Sequence, residues 1–330
     1  MANIHLTMAV GEYDHVRDLT DGTVRVEGVD LTSLRLPVEE IFFRYLHNRE
    51  WDISETSFGK VISLVSQNDN GLAVIPVFTS RIFRHSSIYI RSDAGISRPQ
   101  DLAGKKIGVP EWAQTASIYS RGMLAHEYGV DLKSIHWHQG GVNESGRGEK
   151  VKLKLPAGLR CDVVKDRSLS QMLLAGDLDA ILTARPPAPF FAGDKRIRRL
   201  FEDYQPVELA YWKNTGIYPI MHVVTMRREV YEQNRWVAMN LVKAFEEAKN
   251  NSIRRLSHFD AHPVFAVPWM VEHTATAREM LGTDFWPYGV ERSRKTLEAF
   301  TQYAFEQGVC HRKVDVDEIF VPETLSSFKV

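Results

Sequence analysis

The segment "DRSLSQMLLAGDLDAILTA", residues 166–184, constrains the fold more than any other. Ser168 with Gln171 forms a capping box. Leu169, Met172 and Leu173 make one buried stripe, and Gly176 is placed to stop the helix. An apolar strand, Asp179–Thr183, follows at once. The same alternation runs along most of the chain. Strand patterns occur at 4–10, 30–37, 51–57, 71–78, 86–93, 106–109 and 134–139. Helical patterns occur at 37–48, 58–67, after 110 as far as Gly129, at 235–250 and at 291–307. Alternating strands and helices specify an α/β protein with largely parallel sheets. Residues 140–150, "GGVNESGRGEK", read as a polar, glycine-rich loop, and residues 194–211 as a charged connector.

With 330 residues the chain is long enough for two domains or one large one. Its net charge of −1 argues against a non-specific nucleic-acid surface. Cys161 and Cys310 have no metal-type spacing and suggest no disulfide framework. No window approaches the roughly 18 apolar residues of a membrane span. "MANIHLTMAVGEYD" enters a strand pattern directly, with no export-signal features. A soluble, cytoplasmic protein with a small-molecule partner is expected, with neither nucleic acid nor membrane as partner.

Three phrases carry a resemblance. "FRYLHNREWDISETSFGKVISL" (43–64), "DLAGKKIGVPEWAQTASIYSRGML" (101–124) and "LLAGDLDAILTA" (173–184) resemble, in order and spacing, the type 2 periplasmic binding proteins. "IPVFTSRIFRHSSIYIRSD" (75–93) and "GIYPIMHVVTMRREVYE" (216–232) look like the 4,5-dihydroxyphthalate decarboxylases within that superfamily. The resemblance implies a two-lobed α/β fold with mixed sheets flanked by helices and a ligand cleft between the lobes. Lobe one would combine residues 1–92 with 212–330 and lobe two would be 93–211, with crossings near 91–95 and 205–215. The family's catalytic residues are not carried over; the roles below rest on chemistry.

Ligands of open α/β sheets bind beyond the carboxyl ends of strands, where helix N-termini point. Ser54-Glu55-Thr56-Ser57 lies at such a place, as does the stretch containing Glu111, Trp112, Gln114 and Thr115. Hydroxyls and free amides suit a carboxylate or phenol, and Trp112 offers a stacking surface. Simple helix capping and a packed core tryptophan are the competing explanations. Arg81, Arg84 and His85 cluster at 81–85, and Arg185 follows a strand end; arginine grips carboxylates in bidentate fashion. Solvated arginines are the alternative. Asn143 and Glu144 are candidates for closing over a ligand. His136 and His138 share one face of a strand, but no third ligand of suitable spacing is evident, so no metal is assigned. His222 sits in the apolar run "TGIYPIMHVVTMR", three residues after Pro219 and close behind Tyr218. There it either faces the cleft and moves a proton, or turns inward as a core residue.

The resemblance implies loss of CO2 from a hydroxylated aromatic dicarboxylate, 4,5-dihydroxyphthalate giving protocatechuate, without an organic cofactor. His222 or His85 would transfer the proton, Arg81 and Arg185 would hold carboxylates, and Glu55 or Glu111 would meet the hydroxyls, with Arg84, Ser54, Thr56, Ser57, Trp112, Gln114, Thr115 and Tyr218 lining the site. The alternatives are a solute-binding protein for a small carboxylate, and another cytosolic enzyme of the same fold, such as a thiamine-pyrimidine precursor synthase. Apolar residues at 263–273 make a homo-oligomer plausible, with core packing as the competing explanation.

Overall fold

The computed structural model describes residues 2–258, 262 and 264–326. The chain opens with β1 (Ile4–Val10), α1 (Asp14–Thr20), β2 (Val29–Arg35), α2 (Val38–Asn48), β3 (Ile53–Ser57), α3 (Phe58–Ser66) and β4 (Leu72–Arg81). It continues through β5 (Ile88–Arg91), β6 (Lys106–Val109), α4 (Thr115–His126), β7 (His136–Gln139), β8 (Arg160–Val163), α5 (Leu169–Ala175) and β9 (Ala180–Leu182). Next come α6 (Ala188–Phe191), β10 (Ile197–Arg199) and α7 (Tyr204–Thr215), and the chain closes with β11 (Ile220–Arg227), α8 (Arg228–Gln233), α9 (Trp236–Leu256), α10 (Met270–Leu281) and α11 (Val290–Glu306).

The strands make two mixed sheets, ordered β2-β1-β3-β11-β4 and β10-β5-β9-β6-β7-β8. In the first sheet β11 runs antiparallel to both β3 and β4, so those two strands point the same way and end at one edge. In the second, β9, β6, β7 and β8 are mutually parallel, and β5 opposes β9 and β10. The capping box at Ser168 forms as its sequence requires. The Ser168 hydroxyl accepts from the Gln171 amide at 3.2 Å, the Gln171 side chain accepts from the Ser168 amide at 3.0 Å, and Gly176 closes the helix at φ 83°.

Two expectations change, and one strand is new. β5 belongs to the second sheet, so the chain leaves the first between Arg81 and Ile88 rather than near 91–95. The charged connector at 194–211 contains β10 and much of α7. Tyr211 is the one buried residue of α7, which therefore carries no apolar period to read. The edge strand β8 is largely exposed and hides for the same reason.

Helices from the two sheets share one core. Phe300 of α11 stacks on Phe58 of α3 at 4.7 Å and on Tyr119 of α4 at 4.7 Å. Glycine lets α3 approach the segment leading into α4: a Cβ on Gly59 would stand 2.6 Å from the Ala113 carbonyl oxygen. Gly59→Ala gains at most about 1 kcal/mol of helix propensity, while overpacking against rigid backbone costs about 1–3 kcal/mol. Net destabilisation is expected, measured as a lower urea midpoint with an unchanged slope.

Candidate active site

β3, "ISETS", is buried at all five positions although four of them are polar. Burying polar groups is costly unless each finds a partner, and here they do. Thr56 pairs with Thr225 across the sheet at 2.8 Å, and the Ser57 hydroxyl meets that of Thr115 at 3.1 Å. Glu55 gathers four donors. Its Oε1 accepts from the Tyr13 hydroxyl at 2.7 Å, the Thr79 hydroxyl at 2.9 Å and His222 Nδ1 at 2.6 Å, and its Oε2 accepts from the Gly11 amide at 2.7 Å.

The register explains the meeting. Val224 lies opposite Glu55 and His222 lies opposite Ser57, so Glu55 and His222 are diagonal neighbours on one face of the sheet. On the other side of β11 the pairing with β4 shifts around Pro76, which lacks an amide hydrogen and suits an irregularity on an edge strand. His222 lies opposite Ser80, with an irregularity in the pairing on either side of it.

Burial pushes the Glu55 carboxyl up, but the His222 ring, the Gly11 amide and the Tyr13 hydroxyl outweigh it and hold the group below its ordinary value of 4.5. The Tyr13 phenol moves the other way, raised by burial and by the Glu55 charge, so it remains a donor. An ionised Glu55 accepts only, so His222 Nδ1 carries a proton in either charge state of the ring, and Nε2 is the nitrogen at which a proton can be gained or given. The edge of the Phe42 ring meets the imidazole at 4.8 Å and fixes its tilt.

His222 forms part of the wall of a cavity of about 320 Å³ at the carboxyl ends of β3, β4 and β6. Phe42, Ile82 and Met221 make its apolar side, and Lys60, Arg84, Glu111, Arg147, Lys150 and Arg185 its charged side. Glu111 is held by Lys60 at 2.5 Å, Arg147 at 2.7 Å and Lys150 at 3.6 Å; Lys60 also meets Glu149 at 2.9 Å. Burial pushes the Glu111 carboxyl up, but these cations keep it below its ordinary value. Arg185 pairs with Glu39 at 2.8 Å. Arg84 is buried, bonds only to Met221 Sδ and the Ser87 hydroxyl, and has no carboxylate partner among the described residues. Five cations face three carboxylates here, an excess of two positive charges.

Of the residues singled out in the sequence, the structure brings His222, Ser57, Arg84, Glu111, Gln114, Thr115 and Arg185 to this cavity. The others lie elsewhere. Glu55 sits behind His222 and cannot meet a ligand directly. Ser54 and Thr56 spend their hydroxyls inside the sheet. The Arg81 guanidinium donates to the carbonyls of Tyr218 and Pro287 and to the Ser293 hydroxyl, so it braces the fold. Tyr218 stacks on Phe83. Trp112 is fully buried, donates to the Gln307 carbonyl and packs beneath Arg121 at 3.7 Å. Asn143 does not face a ligand but ties its loop to Ser170 and the Ala188 amide. That loop reaches the cavity through Arg147 and Lys150 instead. Sequence reasoning missed these two, along with Tyr13 and Lys60. Lys60 left a signal, a lone lysine in the apolar helix "FGKVISLVS".

Residues 54–146 match the family described as NMT1/THI5 like. The chain is 37% identical over 331 residues to a 4,5-dihydroxyphthalate decarboxylase from Comamonas testosteroni, covering 100% of both chains. It is 40% identical over 206 residues to a 4,5-dihydroxyphthalate decarboxylase from Pseudomonas putida, covering 62% of this chain and 80% of the relative. The crystal structure of the periplasmic aliphatic sulphonate binding protein SsuA from Escherichia coli superimposes with a TM-score of 0.53 at 13% identity, covering 98% of this chain and 99% of that one. The α/β fold is that of periplasmic binding proteins.

His85 also lies outside the cavity. It is fully buried among Tyr128, Phe201 and Tyr211, neither ring nitrogen has a hydrogen bond among the described residues, and burial lowers its pKa from 6.5 to about 4. The folded chain therefore binds fewer protons here than the unfolded chain between those values, and stability falls as pH drops through the window, by about 3 kcal/mol in full. His85→Phe, a ring of similar size, should shrink the slope of unfolding free energy between pH 6.5 and 4. Some slope should remain from His15, which burial also lowers to about 4. Urea titrations across that range measure it.

Proposed function

The chain belongs to the 4,5-dihydroxyphthalate decarboxylase family and is a carboxy-lyase; we propose that it converts 4,5-dihydroxyphthalate to protocatechuate and CO2, with His222 as the acid at the ring carbon that loses its carboxylate. The observation that carries this reading is the 2.6 Å bond between Glu55 and His222 Nδ1, which turns the other face of the imidazole to a cavity with two positive charges in excess.

A full aryl carbanion is too unstable to form freely, but a hydroxyl para to the departing carboxylate offers another route. That hydroxyl gives its proton to water, a loss favoured by the cations Lys60, Arg147 and Lys150, and the phenolate pushes charge onto the ipso carbon. The imidazolium then donates from Nε2, a C–H bond forms, and the ring becomes a dienone. The C–C bond breaks, CO2 leaves, and its electron pair returns to the ring and restores the phenolate. His222, now neutral, and the phenolate each regain a proton from solvent; set against the one the hydroxyl gave up, one proton is consumed per CO2 released. Glu55 steadies the imidazolium and fixes the tautomer of the neutral ring that follows proton transfer, as a buried carboxylate does behind other catalytic histidines. Tyr13, Thr79 and Gly11 keep Glu55 in place. Arg84 anchors the carboxylate that stays.

This reading carries a reducing, cytoplasmic setting in aromatic-compound catabolism, supported by two unpaired cysteines. It also carries self-association, supported by the exposed Val264, Val267 and Trp269. Two lobes belong to the same reading, residues 1–84 with 216–330 and residues 85–215, a division that the membership of the two sheets supports.

Incubation with 4,5-dihydroxyphthalate and related hydroxylated aromatic acids, with CO2 and phenolic product measured, tests the reading; binding without turnover would turn it to a receptor. His222→Gln should lower kcat by about 10²–10⁴ while substrate affinity stays within roughly tenfold, about 1.4 kcal/mol. Undiminished turnover removes His222 from the mechanism. Arg84→Gln should raise KM by about 10–100-fold, the loss of one charged hydrogen-bonding partner, with a smaller change in kcat.

A further inference from the structure

We infer that His136, His138 and Asp162 form a divalent transition-metal site at the edge of the second sheet, separate from the cavity, that fastens strand β8 to its neighbour. The third ligand that the sequence spacing hides is supplied by strand pairing. His138 lies opposite Asp162, and His136, two residues back on β7, shares its face. One ligand atom from each residue lies within 4.8 Å of the other two. The imidazoles stand side by side with centroids 4.4 Å apart, and His136 Nε2 is 2.6 Å from Asp162 Oδ2.

The second shell fits as well. His138 Nδ1 lies 3.2 Å from the His136 carbonyl oxygen, a bond in which the ring nitrogen must donate. That places its lone pair on Nε2, the arrangement found behind metal-bound histidines. Two imidazoles and a carboxylate suit Zn2+, Co2+ or Ni2+, and leave at least one position for water. All three residues are at least partly exposed, so an ion can enter.

The placement suggests what the ion does. β8 is the last strand of its sheet and pairs with β7 alone. It follows the long segment, residues 140–159, whose Arg147 and Lys150 enter the cavity and whose Glu149 holds Lys60. An ion bridging the strands would anchor the end of that segment.

The test uses untagged, chelator-stripped protein titrated with ZnCl2 by calorimetry, alongside Co2+ absorption spectroscopy. One equivalent should bind, Co2+ should show the visible bands of a low-coordinate site, and Zn2+ should slow hydrogen exchange of the β8 amides. Asp162→Asn on its exposed edge, and separately His138→Gln, should weaken Zn2+ binding at least about tenfold, since loss of a ligand exceeds the usual outer-shell effect. His126→Gln, at a distant exposed histidine, should leave it unchanged. Absence of saturable binding in the wild type, or equal affinity in the Asp162→Asn and His138→Gln proteins while both remain folded by far-UV dichroism, overturns the proposal.

Discussion

The insertion of β11 between β3 and β4 is the constraint on which the rest depends. Residues 55 and 222 are separated by 167 positions, and only this antiparallel pairing brings them together. A slip of one residue would turn His222 to the opposite face of the sheet and exchange it for an apolar neighbour. The pairing is locked by the same carboxylate it serves. Glu55 bonds to the turn after β1, to β4 and to β11, so four of the five strands of the first sheet meet at one ionised group. Removing any donor would leave a buried charge short of a partner, which costs far more than an ordinary hydrogen bond contributes.

The electrostatics of the cavity follow from a second set of buried charges. The Lys60–Glu111 pair is almost fully buried, and burying such a pair rarely adds stability over apolar packing. Its presence is better explained by the field it creates. Arg147 and Lys150 add positive charge around the same carboxylate, and Arg84 has no carboxylate partner among the described residues where burial already lowers its pKa to about 10. A low-dielectric cavity with excess positive charge favours a dianion and also favours a phenol losing its proton. In the proposed mechanism, substrate capture and the first chemical step draw on one charge distribution.

The segment at 140–159 links this cavity to the edge of the second sheet. Polar and glycine-rich, it forms little regular structure, and the side chains it sends inward are held by ion pairs at one end and by β8 at the other. A segment with so little regular structure gains from a fixed attachment, because ordering its backbone costs conformational entropy.

The sequence alone determined the α/β class, the strong helices and the strands with apolar cores, because periodicity and capping are local: Ser168, Gln171 and Gly176 dictate their helix without reference to the rest of the chain. It also marked "SETS", "EWAQT" and His222 as places for chemistry, and the last proved to lie on the cavity wall. Tertiary structure decided which side of each candidate faces the ligand. Arg81, His85 and Trp112 have the same chemistry as cavity residues, yet backbone carbonyls, aromatic rings and Arg121 claim them. Tyr13 and Arg147 were illegible because their partners lie tens of residues away. Glu55 shows the division most clearly. Its residue type announced a carboxylate near a strand end, but only the register of β11, a long-range hydrogen-bonding choice, made it the support for a histidine rather than a group that touches the ligand.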